Sequence, residues 1–199
     1  MALLTTMAWG GLRRAIWRFF AAWGIVLALL GAGGSEAFAQ APISAQNQLK
    51  AVFLFNFAQF VEWPANAFPE AKAPIVIGVL GDDPFGAYLD GLLQGEKIGE
   101  RPMMVRRYRR VEDLQDCHIL FVSRSESERL DKIVAQVKAR NLLTVGDAEG
   151  FNRRGGMVRL ATENGKIQLR INVVAVKAAD LTISSRLLAH AVIVPPGKD

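Results

Sequence analysis

Two adjacent carboxylates, Asp82 and Asp83, follow the continuous apolar run 74–80, where a buried strand passes into its turn. In an open α/β sheet ligands bind at that carboxyl edge, so the pair could hold a cation or an amine. The same residues also suit a plain turn, with Asp83 capping a helix and Pro84 in its first position. Asp147 stands in the same relation to the run 142–146, with Phe151, Arg153, Arg154 and the pair Gly155 and Gly156 close behind. Asp82, Asp83, Phe85, Asp147, Phe151, Arg153 and Arg154 therefore outline the rim of a candidate ligand or partner cleft, one without a catalyst.

The other reactive side chains offer less. His118 lies in the apolar strand 117–122 and His190 in a short helical segment near the end. A lone histidine in either setting is more often a satisfied core residue than a ligand. Two histidines cannot make a multi-histidine metal site, and Cys117 beside His118 lacks zinc-site spacing. Cys117 reads as a buried, inert thiol, with an intermolecular disulfide as the other possibility. No G-x-S-x-G elbow occurs, and Gly78-Val79-Leu80-Gly81 does not match G-x-G-x-x-G. No catalytic, metal or cofactor site is expected, and the chain reads as a non-enzyme. Arg106, Arg107, Arg109 and Arg110 surround Tyr108. On a strand they place charge on both faces, which calls for an edge or a loop. Edge protection is one use for them; docking an acidic partner surface or anionic lipid is another.

Among the elements that must carry these residues, the first is removed. Arg13, Arg14 and Arg18 precede the apolar run 19–30, and Ala37, Phe38 and Ala39 end the segment. This is the pattern of a secretory signal over 1–39, cut before Gln40, and the run is shorter than the roughly 20 residues that span a bilayer. The 199-residue chain carries a net charge of +5, and without residues 1–39 it keeps 21 basic and 18 acidic side chains. That mild excess, in an exported protein, argues against a nucleic-acid partner. With one cysteine there is no intrachain disulfide. The remainder suits one domain with a full core, 48–194, between a leader at 40–47 and a tail at 195–199.

The segment 49–64 packs four phenylalanines and a tryptophan ahead of Pro64. As a helix it sets Leu49, Phe53, Phe57 and Phe60 on one side and Leu54, Phe55, Ala58 and Val61 on much of the other. A helix apolar nearly all round is buried or crosses a membrane. Its length, and the interruptions at Lys50, Asn56, Gln59 and Glu62, exclude a span. One side then lies on a sheet, and helices or a second subunit cover the other. Phe55 and Val61, with Arg106, Arg107 and Arg109, are the candidate dimer or partner surface.

Behind it the pattern alternates: strand 74–80, helix 85–93, strand 102–108, a helical turn at 111–114, strand 117–122, helix 126–140, strand 142–146. Such alternation predicts a parallel sheet. Asn164-Gly165 between 156–161 and 166–171 signals an antiparallel hairpin, and helices over 172–179 and 184–190 follow. The expected fold is a single-domain α/β, Rossmann-like three-layer sandwich. Its sheet is mostly parallel, with the hairpin at one edge and helices on both faces.

Four segments in this order carry a resemblance: Phe60-Val61-Glu62-Trp63-Pro64; Ile77-Gly78-Val79-Leu80-Gly81-Asp82-Asp83-Pro84-Phe85-Gly86; Cys117-His118-Ile119-Leu120-Phe121; and Arg170-Ile171-Asn172 with 179–188. Together they resemble the YfiR/HmsC-like family of periplasmic proteins over essentially the whole of 48–194. The resemblance implies an exported α/β domain, often dimeric. It also implies a regulator that binds the periplasmic domain of an inner-membrane signalling protein, a diguanylate cyclase, and so controls cyclic-di-GMP and biofilm formation. The single cysteine departs from the best-known members, so redox sensing through intrachain disulfides does not carry over. The competing expectation, drawn from the Asp82 and Asp147 edge, is a periplasmic small-molecule-binding accessory protein of a receptor or transport system.

Overall fold

A computed structural model describes residues 43–199 apart from Ala139, and the signal expected over 1–39 lies outside them. The Ser44 hydroxyl accepts the Asn47 N–H at 3.2 Å and starts helix α1 (Ala45–Phe60) ahead of the expected position. The helix also stops early. Pro64 disfavours helical backbone at the residue before it, and strand β1 (Val61–Glu62) pairs antiparallel with Ile183 and Thr182.

The main sheet holds β2 (Ile75–Leu80), β3 (Lys97–Ile98), β4 (Arg101–Tyr108), β5 (Ile119–Val122), β6 (Leu143–Gly146), β7 (Val158–Glu163), β8 (Lys166–Ile171) and β10 (Ala191–Ile193). Their order is β10-β8-β7-β6-β5-β2-β4-β3. From β7 across to β4 every pairing is parallel; β8 joins β7 and β3 joins β4 antiparallel. The helices are α2 (Ala87–Leu93), α3 (Leu130–Val137), which extends a 3-10 segment Arg124–Arg129, α4 (Val173–Ala178) and α5 (Ser185–Leu188), with β9 (Thr182–Ile183) between the last two.

Side-chain alternation along the parallel strands divides the interior in two. Ile77, Val79, Phe121 and Val145 point to one side, where Leu54 and Phe57 of α1, Leu89 of α2, Val176 of α4 and Leu187 of α5 meet them. Leu80, Leu120 and Val122 point to the other, against Leu130, Ile133, Val134 and Val137 of α3 and the ring of Phe151. Helices thus cover both faces. Full burial of a side chain such as Phe57 or Phe121 contributes about 2–3 kcal/mol.

Three expectations shift. The hairpin forms on Asn164 and Gly165, both at positive φ (50° and 75°), but it is not the sheet edge. After α5 the chain returns, and Ala191, Val192 and Ile193 pair parallel with Leu169, Arg170 and Ile171. A three-residue strand is too short to show a period. The expected helix 126–140 begins as 3-10 turns and becomes α-helical at Leu130. The helix expected at 85–93 waits until Ala87, because Gly86 sits at φ +51°. Asp83 is therefore not its cap; its carboxylate accepts the Phe85 N–H at 2.7 Å inside the turn.

Candidate functional site

β2 has β4 on one side and β5 on the other, so the chain leaves it in two directions. Ligands of open α/β sheets enter at such a point, outside the carboxyl ends of the strands. Here that crevice is filled from within. Gly81 has φ +86°, and a Cβ on it would lie 2.4 Å from Ser125 Oγ and 2.8 Å from Glu126 Cγ. Ser125 Oγ accepts the Asp82 N–H at 2.9 Å, and the buried Glu126 pairs with Arg129 at 2.7 Å.

The expected rim separates into parts. Asp82 is exposed, while Asp83 accepts from Arg107 Nε at 2.7 Å. Arg107 also grips Asp90 of α2 through two nitrogens, at 3.0 and 2.5 Å, and donates to the Gly86 carbonyl at 2.9 Å. The hydrogen bond to Arg107 holds the Asp90 carboxyl below its ordinary range, and Asp90 in turn raises the guanidinium. Arg107 is thus a clamp joining β4, the turn after β2 and α2, not a free partner contact.

Asp147 is buried. Its Oδ2 lies 2.5 Å from Lys50 Nζ, which reaches across from α1, and 3.7 Å from Arg124 Nε; its carbonyl accepts two hydrogen bonds from Arg124. Asn47, one turn earlier on α1, donates to the Pro84 carbonyl at 3.2 Å. The first turns of α1 thereby bridge the ends of β2 and β6. Lys50 read in the sequence as one scattered polar residue. Nothing in its spacing marked it as the partner of a residue 97 positions away.

Phe85 and Phe151 correct the rim outright: both are core residues. Phe85 packs edge-on against Phe121 at 4.8 Å, and Phe151 lies against Gly146 and Gly156, where a Cβ would come within 2.4 and 2.2 Å of its ring. Arg153 is exposed, whereas Arg154 donates to the Ser127 carbonyl at 2.6 Å. Val61 is likewise buried in β1, so it belongs to no surface, and Phe55 is half-buried against the first core. Arg106 donates to the Gln115 carbonyl at 3.3 Å, and Arg109 is exposed. β4 is an edge along most of its length, as its charges require, since β3 covers only Arg101 and Pro102.

His118 is held by its neighbours. Nδ1 accepts the Val76 N–H at 3.1 Å, so the ring carries its proton on Nε2 and donates to the Ala67 carbonyl at 3.2 Å. Phe68 stacks on it at 4.4 Å. Burial pushes the Cys117 thiol up to about 12. Among the described residues no three His, Cys, Asp or Glu side chains gather as a metal site, and no helix is long and apolar enough to cross a membrane.

The fold also forms a cleft with room for a ligand, and the sequence did not point to it. It lies between α3 and α4, holds about 380 Å³, and is lined by Val134, Val137, Met157, Val174 and Ala175 together with the charged Asp131, Lys138 and Arg154. The apolar stripe of α3 is visible in the sequence. Its meeting with α4, some 40 residues later, is a product of the fold alone.

Residues 47–192 match the family model described as YfiR/HmsC-like. No curated protein matches the chain.

Proposed function

The chain belongs to the YfiR/HmsC-like family, and on that premise we propose that it is a non-catalytic periplasmic regulator. It binds the periplasmic domain of an inner-membrane signalling protein, a diguanylate cyclase, and holds it inactive. It acts as a homodimer, built on one Rossmann-like three-layer domain exported by a cleaved signal. The family match across 47–192 carries this reading. The side-chain chemistry supports it, because Asp83, Asp147 and His118 are each engaged in an internal contact that positions structure. Repression is then differential binding: the cyclase is silenced only as far as the bound state is favoured. Deleting the gene should raise cellular cyclic-di-GMP and biofilm mass. Unchanged values of both would remove the proposal.

The cleft between α3 and α4 favours a second reading, a periplasmic binder of a small apolar ligand serving a receptor or transport system. A ligand at a hundred times its dissociation constant adds about 2.7 kcal/mol of stability. A thermal-shift screen should show that gain in the wild type and lose it in Ala175→Trp, which fills the cleft.

A further inference from the structure

Arg159 of β7 and Arg170 of β8 are direct cross-strand partners. Since Val158, Leu160, Leu169 and Ile171 face the first core, the two arginines share the opposite face of the sheet. Like charges placed directly opposite one another are destabilising unless an anion lies between them. Two anions answer them here: Glu163 accepts from Arg170 Nη2 at 2.6 Å, and Asp199 engages both arginines. Arg159 Nη1 donates to the Asp199 carboxylate, which also accepts the Gly150 N–H at 2.8 Å and the Asn152 N–H at 3.1 Å. Arg170 Nη1 donates to the main-chain oxygen of the same residue at 2.8 Å. Arg159 and Asp199 are each only 16% exposed in their side chains.

The receiving groups do not depend on Asp199 for their positions. Asn152 is fully buried and donates from its side-chain amide to the Gly156 and Met157 carbonyls at 3.2 and 3.1 Å. The ring of Phe151 is locked between Gly146 and Gly156, and the arginines sit on a paired hairpin. Each guanidinium also keeps a buried Nε–H with no acceptor among the described residues. The segment that carries the occupant has fewer ties. Val194 is buried and donates to the Ile171 carbonyl at 2.9 Å, but residues 195–198 are exposed, so Asp199 is the tail's one inserted side chain.

We propose that Gly150, Asn152, Arg159 and Arg170 form a receptor for an aspartyl residue, read by its carboxylate and its main-chain oxygen. Asp199 fills it in cis, and an aspartate-bearing segment of another protein takes it when the tail leaves. The probe is the labelled peptide Val-Pro-Pro-Gly-Lys-Asp, added to full-length Asp199→Ala protein and followed by fluorescence anisotropy. The variant should bind the peptide at least about tenfold more tightly than wild type, whose own Asp199 competes at a local concentration in the millimolar range. Changing the peptide's Asp to Asn should abolish binding, as should adding Arg159→Gln to the variant. In ¹⁵N spectra the Gly150 and Asn152 amides should move in Asp199→Ala and return with peptide. The milder Asp199→Asn serves if the alanine variant loses its fold. Equal binding by variant and wild type, or equal binding of the Asn peptide, overturns the proposal.

Discussion

Lys50 and Asp147 meet with their side chains only 7% and 10% exposed. Removing Asp147 leaves the buried Lys50 charge alone, which costs about 3–5 kcal/mol. Removing Lys50 leaves Asp147 only the more distant, exposed Arg124, and replacing both with apolar groups of similar size costs much less. Urea unfolding should therefore show large losses for Lys50→Met and Asp147→Leu and a smaller one for the double variant. Additive losses would mean the pair is not coupled. His118 gives the protein a pH dependence of known sign. Burial foremost, and then the nearby Arg101, lower its pKa against the pull of the Ala67 carbonyl. A depressed folded-state value confers stability that is present above the ordinary 6.5 and lost as pH falls through the folded value. The thermal midpoint should drop between pH 7 and pH 5, and His118→Asn should flatten that slope. Cys117 acts at the other end of the scale. Its folded pKa is near 12 against an ordinary 9.0, so stability falls as pH climbs from 9 towards 12. At pH 8 the folded thiol should resist Ellman's reagent and react once guanidinium unfolds the chain.

At the scale of elements, α2 is tied to β4 by Arg107 more than by its own caps, for Gly86 supplies no side chain. Arg107→Ala should release it. With the arginine 41% exposed, solvent screening keeps the loss near 1 kcal/mol, so hydrogen exchange is the better reading than global unfolding. Amides of Ala87–Leu93 should exchange faster while those of β2 stay protected; equal protection would assign the clamp no role. Most strands were legible beforehand, because a buried parallel strand is a short continuous apolar run and 75–80, 119–122 and 143–146 have that form. Helix beginnings were less so. Gly86, the 3-10 turns before Leu130 and Ser44 each decide a start through a backbone angle or a capping contact that hydrophobic period does not report.

For the whole molecule, the exposed part of α1 bears on assembly. Leu49 stands open and Phe55 half-open, whereas Val61 is core. If that face joins two copies, Phe55→Glu should elute later on gel filtration with its circular dichroism unchanged, and Val61→Glu should unfold. An unaltered elution volume for folded Phe55→Glu would exclude α1 as the interface. The sequence by itself determined the class of fold, the run of the longer strands and helices, and the family, since each rests on local pattern: period, turn residues, and motifs in order. The short strands β1, β3, β9 and β10 left no such pattern. Only the tertiary structure decided which residues meet. It drew Lys50 to Asp147, turned Phe85 and Phe151 inward, laid β10 outside the hairpin, and set α3 beside α4. Each depends on contacts between residues distant in the chain, and a one-dimensional pattern records which side chains seek burial or a partner but not which ones they reach.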